Sequence, residues 1–470
     1  MLFLSFRFYA AVLVLLLIYY CVPPKARWMV LLTGSLGIYV CFSGWGIFLL
    51  LFSVIVSYGV GRALERLEKK RGKLALACGI IAVSLPFLLI KVGRRGETDW
   101  LSVMGISYFT LQVIAYMVDV WRGKVKAEKN PAKYALFVTF FPQIVQGPIA
   151  RYGQLGQQFF SEKRLDEKLF VKGFQWILWG FFLKLMIADR AGAVVDTVFG
   201  EWRIYTGSYV LLGGILYSIQ LYADFMACVF LAKGIAAMFG ITLADNFNRP
   251  YFSDNMKEFW ARWHISLSSW LKDYIYIPLG GSRKGKIRKW VNLILVFVVS
   301  GIWHGSGLRY IAWGLMHAGY QIAGEMTVGI RKGLYRMFRI PEDSFLAELL
   351  RKGTTLFLVM LAWIVFRAES LRTARKMLRS LFTVYNPWVL FDDSIFSLGL
   401  DMKEWMLLVL AVLALVAVSL QQRKTEVGEW LLRQHLLLRW TVYIAAILLI
   451  VVYGAYGAGF DAQAFIYGGF

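Results

Sequence analysis

Between Leu74 and Ile90 the chain reads LALACGIIAVSLPFLLI, without one charged side chain. Such a run approaches the roughly 20 residues that carry a helix across a bilayer's hydrocarbon core. Comparable runs lie near 6–22, 28–42, 45–61, 74–92, 103–121, 133–150, 170–188, 208–239, 290–303, 308–324, 353–367, 404–420 and 437–454. In lipid, backbone polar groups are satisfied only within helices or a closed barrel. A barrel needs short alternating strands, and these runs are too long and too continuously apolar. The expected fold class is an all-α polytopic integral membrane protein. About eleven true spans are expected once re-entrant and interfacial pieces are set aside. No extramembrane domain, repeat or low-complexity tract interrupts the pattern. The chain is read as one transmembrane domain, 1–470, with N-terminal helices 1–130, a core 131–325 and C-terminal helices 326–470.

Composition matters chiefly through charge. The net charge is +23, yet charged residues make up only 17% of the chain. In a soluble protein that excess would suggest nucleic acid. Here the cations sit in short loops between spans, so positive-inside topology and anionic membrane lipids account for them, and no nucleic-acid partner is expected. Lys25 and Arg27 mark one loop. Arg62, Arg66, Lys69, Lys70, Arg71 and Lys73 mark the next, and Arg122, Lys124, Lys126, Lys129 and Lys133 a third. Their alternation with uncharged links places these loops in the cytoplasm and the N-terminus outside. Arg94 and Arg95 oppose it weakly, and beyond about residue 150 the alternation fades, with Arg372–Arg379 and Arg423–Lys424 both basic. The first stretch lacks a small-x-small cleavage site and is read as a retained helix. Cys21, Cys41, Cys78 and Cys228 lie in apolar runs without ligand spacing and are expected as buried free thiols.

Two segments read as interfacial. Phe259, Trp263, Leu267, Trp270 and Tyr274 recur at three- and four-residue steps over 257–277, which predicts one amphipathic helix. The segment 370–382, with Arg372, Arg375, Lys376 and Arg379, is similar. In FVTFFPQIVQGPIARYG, Pro142, Gly147 and Pro148 break an apolar run. Non-helical backbone at that depth survives only inside protein or against a water-filled cavity. The run is read as a re-entrant wall or as a kinked span.

Three of the four histidines fall between Asn246 and His317. His304, in GIWHGSG, follows the apolar run VNLILVFVVS, and Trp303 stands beside it as a wall. A neutral imidazole there can take a proton from an attacking hydroxyl. His264 lies in FWARWHISLSSWLKDY, with Ser268 one turn on along the predicted helix. It is read as a hydrogen bonder to substrate or donor, or as a histidine packed among indoles. His317 is read as a packed helix–helix hydrogen bonder, and His435 as a loop residue. No GxSxG elbow, HExxH pair or phosphate-binding glycine loop occurs, so neither a serine triad nor a metal site is expected. Asp224 and Asp119 are acids within apolar surroundings. Asp224 is expected to pair with Lys233, Arg249 or Arg262, while a transport path is the other reading of such an acid. Arg283, Lys284, Lys286, Arg288 and Lys289 form a basic turn able to steer a phosphorylated donor or to meet lipid headgroups.

The long stretch DNFNRPYFSDNMKEFWARWHISLSSWLKDYIYIPLGGSR, followed by GIWHG and WGLMHA, resembles the membrane-bound O-acyltransferase (MBOAT) superfamily. The likeness is best to the bacterial branch that O-acetylates alginate and related polymers, with the teichoic-acid D-alanylation protein nearby. GISYFTLQ (105–112), FPQIVQGPI (141–149), LAWIVFRAES (361–370) and the terminal FIYGGF extend it over nearly the whole chain. The resemblance implies an MBOAT-like bundle of helices around a central tunnel, with His304 as the essential residue and His264 and Asp273 as its motif partners. It implies acetyl-CoA or a carrier-protein thioester as donor, an SGNH-type extracytoplasmic esterase or transferase as partner, and a bacterial inner-membrane location. Trp270, Arg249, Arg262, Arg283 and Lys284 join Asp224 and Ser268 as residues expected to shape the cavity or hold the donor. One departure stands out. After QLY the family continues with hydroxyl residues and a second aspartate, whereas this chain reads DFMACVF, matching only at Asp224.

Overall fold

The computed structural model describes residues 3–93, 103–144, 146–162, 164–423 and 425–456. Arg94, Arg95, Lys424 and the terminal FIYGGF lie outside the described residues. Within them every regular element is helical and no strand occurs. Eight helices are long and apolar enough to cross a membrane, among them Lys69–Gly93, Ser208–Met238, Lys286–His304 and Phe345–Arg367. Phe6–Cys21 and Ile106–Trp121 are apolar but shorter. The protein is therefore a multi-pass membrane protein, with eight helices meeting the length requirement where about eleven spans were expected.

The chain forms two compact units. One holds the described residues of Met1–Phe181 and Ala227–Asp245. Here the apolar run expected near 133–150 begins as two short helices, Pro131–Thr139 and Phe141–Ile144. The helix breaks at Phe140, which orphans an amide and a carbonyl inside the protein. Ser35 Oγ takes the Phe141 N–H at 3.2 Å. Gln112 Nε2 donates to the Phe137 carbonyl at 2.7 Å, and Gln143 Nε2 to the same carbonyl at 3.3 Å. The broken backbone is thus buried and bonded by side chains, as irregular backbone in a membrane protein requires.

The second unit holds the described residues of Phe182–Met226 and Asn246–Ala462. Its centre is the helical hairpin Lys286–His304 and Leu308–Met326. Lipid provides no hydrophobic drive between helices, so close backbone approach at small residues is what binds them. A methyl group on Gly314 would stand 2.3 Å from the Phe297 carbonyl oxygen, and one on Gly301 2.4 Å from that of Tyr310. Both obstacles are backbone, which cannot swing aside. The helix Leu371–Thr383 is amphipathic as expected: Thr373, Ala374 and Met377 are buried while Arg372 and Arg375 are exposed.

Two expectations are corrected. The stretch 257–277 is not one helix. It breaks between Met256–Arg262 and Ile265–Leu271, because His264 adopts a left-handed backbone, φ 45° and ψ 54°. The predicted aromatic stripe is buried all the same at Phe259, Trp263, Leu267 and Trp270. Three of the four cysteines, Cys21, Cys41 and Cys78, are exposed on their helices, and only Cys228 is buried. An apolar run says that a side chain tolerates lipid, not which side of the helix faces protein.

Gly314→Ala should destabilise the hairpin by about 1–3 kcal/mol through overpacking. The check is thermal unfolding of the detergent-purified variant, which should melt below the wild type. Gly319→Ala, with nothing within 4 Å of the added methyl, should not.

Candidate active site

His304 is the last residue of the Lys286–His304 helix, and the chain turns over Gly305–Gly307 before Leu308 starts the next. The ring is 2% exposed. It packs against Trp303, Trp313 and Phe366 with centroid separations of 4.8, 5.0 and 5.4 Å. Trp303 also meets His264 at 6.1 Å, and Phe225 meets His264 edge-on at 4.7 Å. Trp303 therefore touches both histidines that the motifs single out. His317 joins the same cluster through Trp313 at 5.0 Å, and its Nδ1 accepts from Trp260 Nε1 at 3.2 Å.

The break at His264 is braced by Asn246. The Asn246 carbonyl accepts from the Ile265 N–H at 2.9 Å, and its side-chain Oδ1 accepts from the Ser266 N–H at 3.0 Å. That second bond fixes which end of the amide is oxygen. The same Oδ1 lies 3.3 Å from His264 Nδ1, so Nδ1 carries the proton and the Nε2 lone pair is the basic one. Burial pushes the His264 pKa from 6.5 down to about 3, which keeps the ring neutral across working pH. Ser268 was predicted to share a face with His264. Its hydroxyl instead donates to the Trp263 carbonyl at 3.2 Å, closing the broken helix.

Asp224 is buried, but none of the three expected cations is its partner. Lys184 Nζ reaches it at 2.7 Å and reaches Asp189 at 2.8 Å. Lys233 pairs with Asp245, Arg262 with Glu258, and Arg249 donates from Nε to Asn248 Oδ1 at 3.3 Å. Lys184 sits in a π-helical turn, Leu183–Ala188, that leads directly into Asp189–Gly200. Phe225, next to Asp224, packs on His264, which ties the ionic cluster to the histidines. Sequence reasoning passed over Lys184, although a lone ammonium in GFFLKLMIADR is the kind of intramembrane charge that needs a partner. It also gave no role to Asn246, whose local context carries no signal of the brace.

The remaining predicted residues spread along the unit. Trp270 is buried and stacks near Tyr274 at 5.1 Å, and Asp273 is half-buried in the π-turn Lys272–Tyr276. Arg283 and Lys284 are exposed in a turn held by Asn292, whose Nδ2 donates to the Gly281 carbonyl at 2.9 Å. The full Lys286–His304 helix separates that turn from His304, about 27 Å at 1.5 Å per residue. Among the described residues no three His, Cys, Asp or Glu side chains gather as metal ligands. What the aromatic cluster offers is neutral imidazole nitrogen in surroundings that exclude water, suited to moving a proton from a hydroxyl.

Lys184→Met should leave two buried carboxylates facing each other and cost about 3–5 kcal/mol. The folded fraction on size-exclusion chromatography should fall sharply, and adding Asp189→Asn with Asp224→Asn should restore most of it.

Comparison with known proteins follows the same residues. The model for MBOAT, the membrane-bound O-acyltransferase family, matches residues 127–368. A Pseudomonas fluorescens protein named "Probable alginate O-acetylase AlgI" is 34% identical over 382 residues, covering 80% of this chain and 74% of that protein. The peptidoglycan O-acetyltransferase of Helicobacter pylori is 33% identical, covering 76% of this chain and 73% of that protein. The teichoic acid D-alanyltransferase of Bacillus subtilis is 31% identical, with 51% of this chain and 66% of that protein covered.

Proposed function

The chain belongs to the membrane-bound O-acyltransferase family, and on that premise we propose that His304 is the general base of an O-acetyl transfer to a cell-envelope or secreted polysaccharide. The observation that carries the reading is the seating of His304 in a closed aromatic cluster, with Trp303 shared by His264. The His304 imidazole takes the proton of an acceptor hydroxyl as that oxygen attacks the thioester carbonyl. The carbon–sulfur bond breaks, and the proton passes to the departing thiolate. An ester and a free thiol result. Trp303, Trp313 and Phe366 keep water from the thioester, which would otherwise be hydrolysed. His264, held neutral and oriented by Asn246, hydrogen-bonds the donor or the acceptor. The Lys184–Asp224 pair and Asp273 hold the walls in place.

Acetyl-CoA or an acetylated carrier protein supplies the acyl group at the cytoplasmic face, where the exposed Arg283 and Lys284 steer the anionic donor by long-range attraction. Acetyl is favoured over D-alanyl because the two O-acetylating relatives align with about three quarters or more of this chain, and the D-alanyl relative with half. In this reading the protein lies in the bacterial inner membrane with its N-terminus outside. It hands the acetyl group to an SGNH-type extracytoplasmic partner or directly to the polymer.

In cells lacking any paralogue, His304→Ala should abolish polymer acetylation while the protein still reaches the membrane. Mass spectrometry of esters released from the envelope polymer, alongside an immunoblot of the membrane fraction, reads both. Persisting acetyl esters would sink the role of His304, and D-alanyl esters lost in their place would change the acyl group.

A further inference from the structure

Arg249 and Arg262 lie in one segment of the second unit, and Arg423, remote in sequence, packs against it. Arg249 takes a left-handed backbone, φ 48°, and its carbonyl accepts from the Phe252 N–H at 3.1 Å. The Arg423 guanidinium lies 5.2 Å over the Phe252 ring. Asn248, immediately before Arg249, donates its N–H to the Arg262 carbonyl at 2.9 Å. One short loop thus holds the backbones of Arg249 and Arg262 together and seats the Arg423 guanidinium on its Phe252.

Their charges are not balanced. Arg262 has Glu258 at 2.5 Å. The loop's other acid, Asp254, is held by Arg351 at 3.2 Å and Lys352 at 3.8 Å. Among the described residues no carboxylate pairs with Arg249 or Arg423. Arg249 Nη1 is enclosed by protein and meets no acceptor there. Partial burial, and after it the positive charges of Arg262 and Arg423, lower the Arg249 guanidinium from its ordinary value. Like charges held together around an enclosed donor are stable when an anion completes them, and guanidinium forks match phosphate oxygens.

Asp254 pairs with Arg351, and about four turns of helix, roughly 22 Å, separate Arg351 from Phe366, the residue on His304. Lys289 pairs with Glu325 at a similar remove from His304 on its own helix. The loop thus runs from Asp254, beside Arg351, back to Asn246, which bonds His264, and Arg249 and Arg262 lie within three residues of Asn246 and His264 respectively.

We propose that Arg249, Arg262 and Arg423 form a phosphate-binding site. Its ligand carries a diphosphate or phosphomonoester, supplied either by the acyl donor or by an anionic lipid headgroup. The donor assignment rests on the acyl-transfer reading above, whereas the anion site itself does not.

The test uses full-length protein in neutral phosphatidylcholine nanodiscs. Inorganic pyrophosphate and coenzyme A are titrated by calorimetry, and retention of added phosphatidylglycerol is read by native mass spectrometry. Arg249→Gln and Arg423→Gln should each weaken pyrophosphate about tenfold or more, the loss expected for a charge-assisted bond. Arg423 is exposed in a loop, so its variant keeps the test open should Arg249→Gln fold poorly. Coenzyme A weakened in parallel, with phosphatidylglycerol retained, assigns the site to the donor's phosphates. Loss of phosphatidylglycerol with coenzyme A unaffected assigns it to a lipid headgroup. Absence of pyrophosphate binding to the wild type, or binding unchanged in Arg423→Gln, overturns the site. Loss confined to Arg283→Gln with Lys284→Gln moves the anion to the basic turn and overturns it equally. His304→Ala should bind pyrophosphate as the wild type does, so failure of the transfer reading stays separate from failure of the anion site.

Discussion

Inside a bilayer no water is at hand to satisfy a buried polar group, and several such groups here draw their partners from distant parts of the chain. Lys184 is the clearest case. A lone ammonium among Phe, Leu and Met would be costly, and Asp189, five residues on, and Asp224, forty residues on, both meet it. The same constraint places Ser35, Gln112 and Gln143 at the broken backbone around Phe140. It also places Asn246 at the break around His264. Irregular backbone and polar side chains appear together because each satisfies the other.

This pairing governs the chemistry as well as the fold. A left-handed residue at His264 turns its ring away from an ordinary helical face and into contact with Phe225 and Trp303. Asn246 then chooses the tautomer. Glycines at 301 and 314 let the two helices of the hairpin approach closely, and across that hairpin Trp313 touches His304 while one turn along its own helix it touches His317. The ionic cluster, the aromatic cluster and the arginine loop all belong to the second of the two compact units.

Much of this was legible in the sequence, and the part that was not has a common cause. Helix positions followed from apolar run length, since a bilayer leaves a helix few alternatives, and the expected segments correspond closely to Arg27–Ser43, Ser208–Met238 or Met402–Gln421. The motifs pointed to His304 and His264 as a pair before any geometry showed Trp303 touching both. Contacts between distant residues were not legible. The partner of Asp224 lies at Lys184, 40 positions away, and three plausible cations closer to it in the chain drew attention first. Periodicity at 257–277 correctly identified the buried aromatic stripe, but no period can show that one residue inside it has reversed its φ. Apolar context suggested that all four cysteines are buried, but it could not say which of them face protein, and only Cys228 does.

The account stands on His304 moving a proton from a hydroxyl while an acyl group leaves sulfur. Its most direct test is single-turnover transfer in proteoliposomes, with isotopically labelled acetyl-CoA on one side and a saccharide acceptor, with any required extracytoplasmic partner, on the other. The account predicts labelled ester on the acceptor in step with free thiol on the donor side, and neither product with His304→Ala protein. Equal yields of both products from the variant would contradict it.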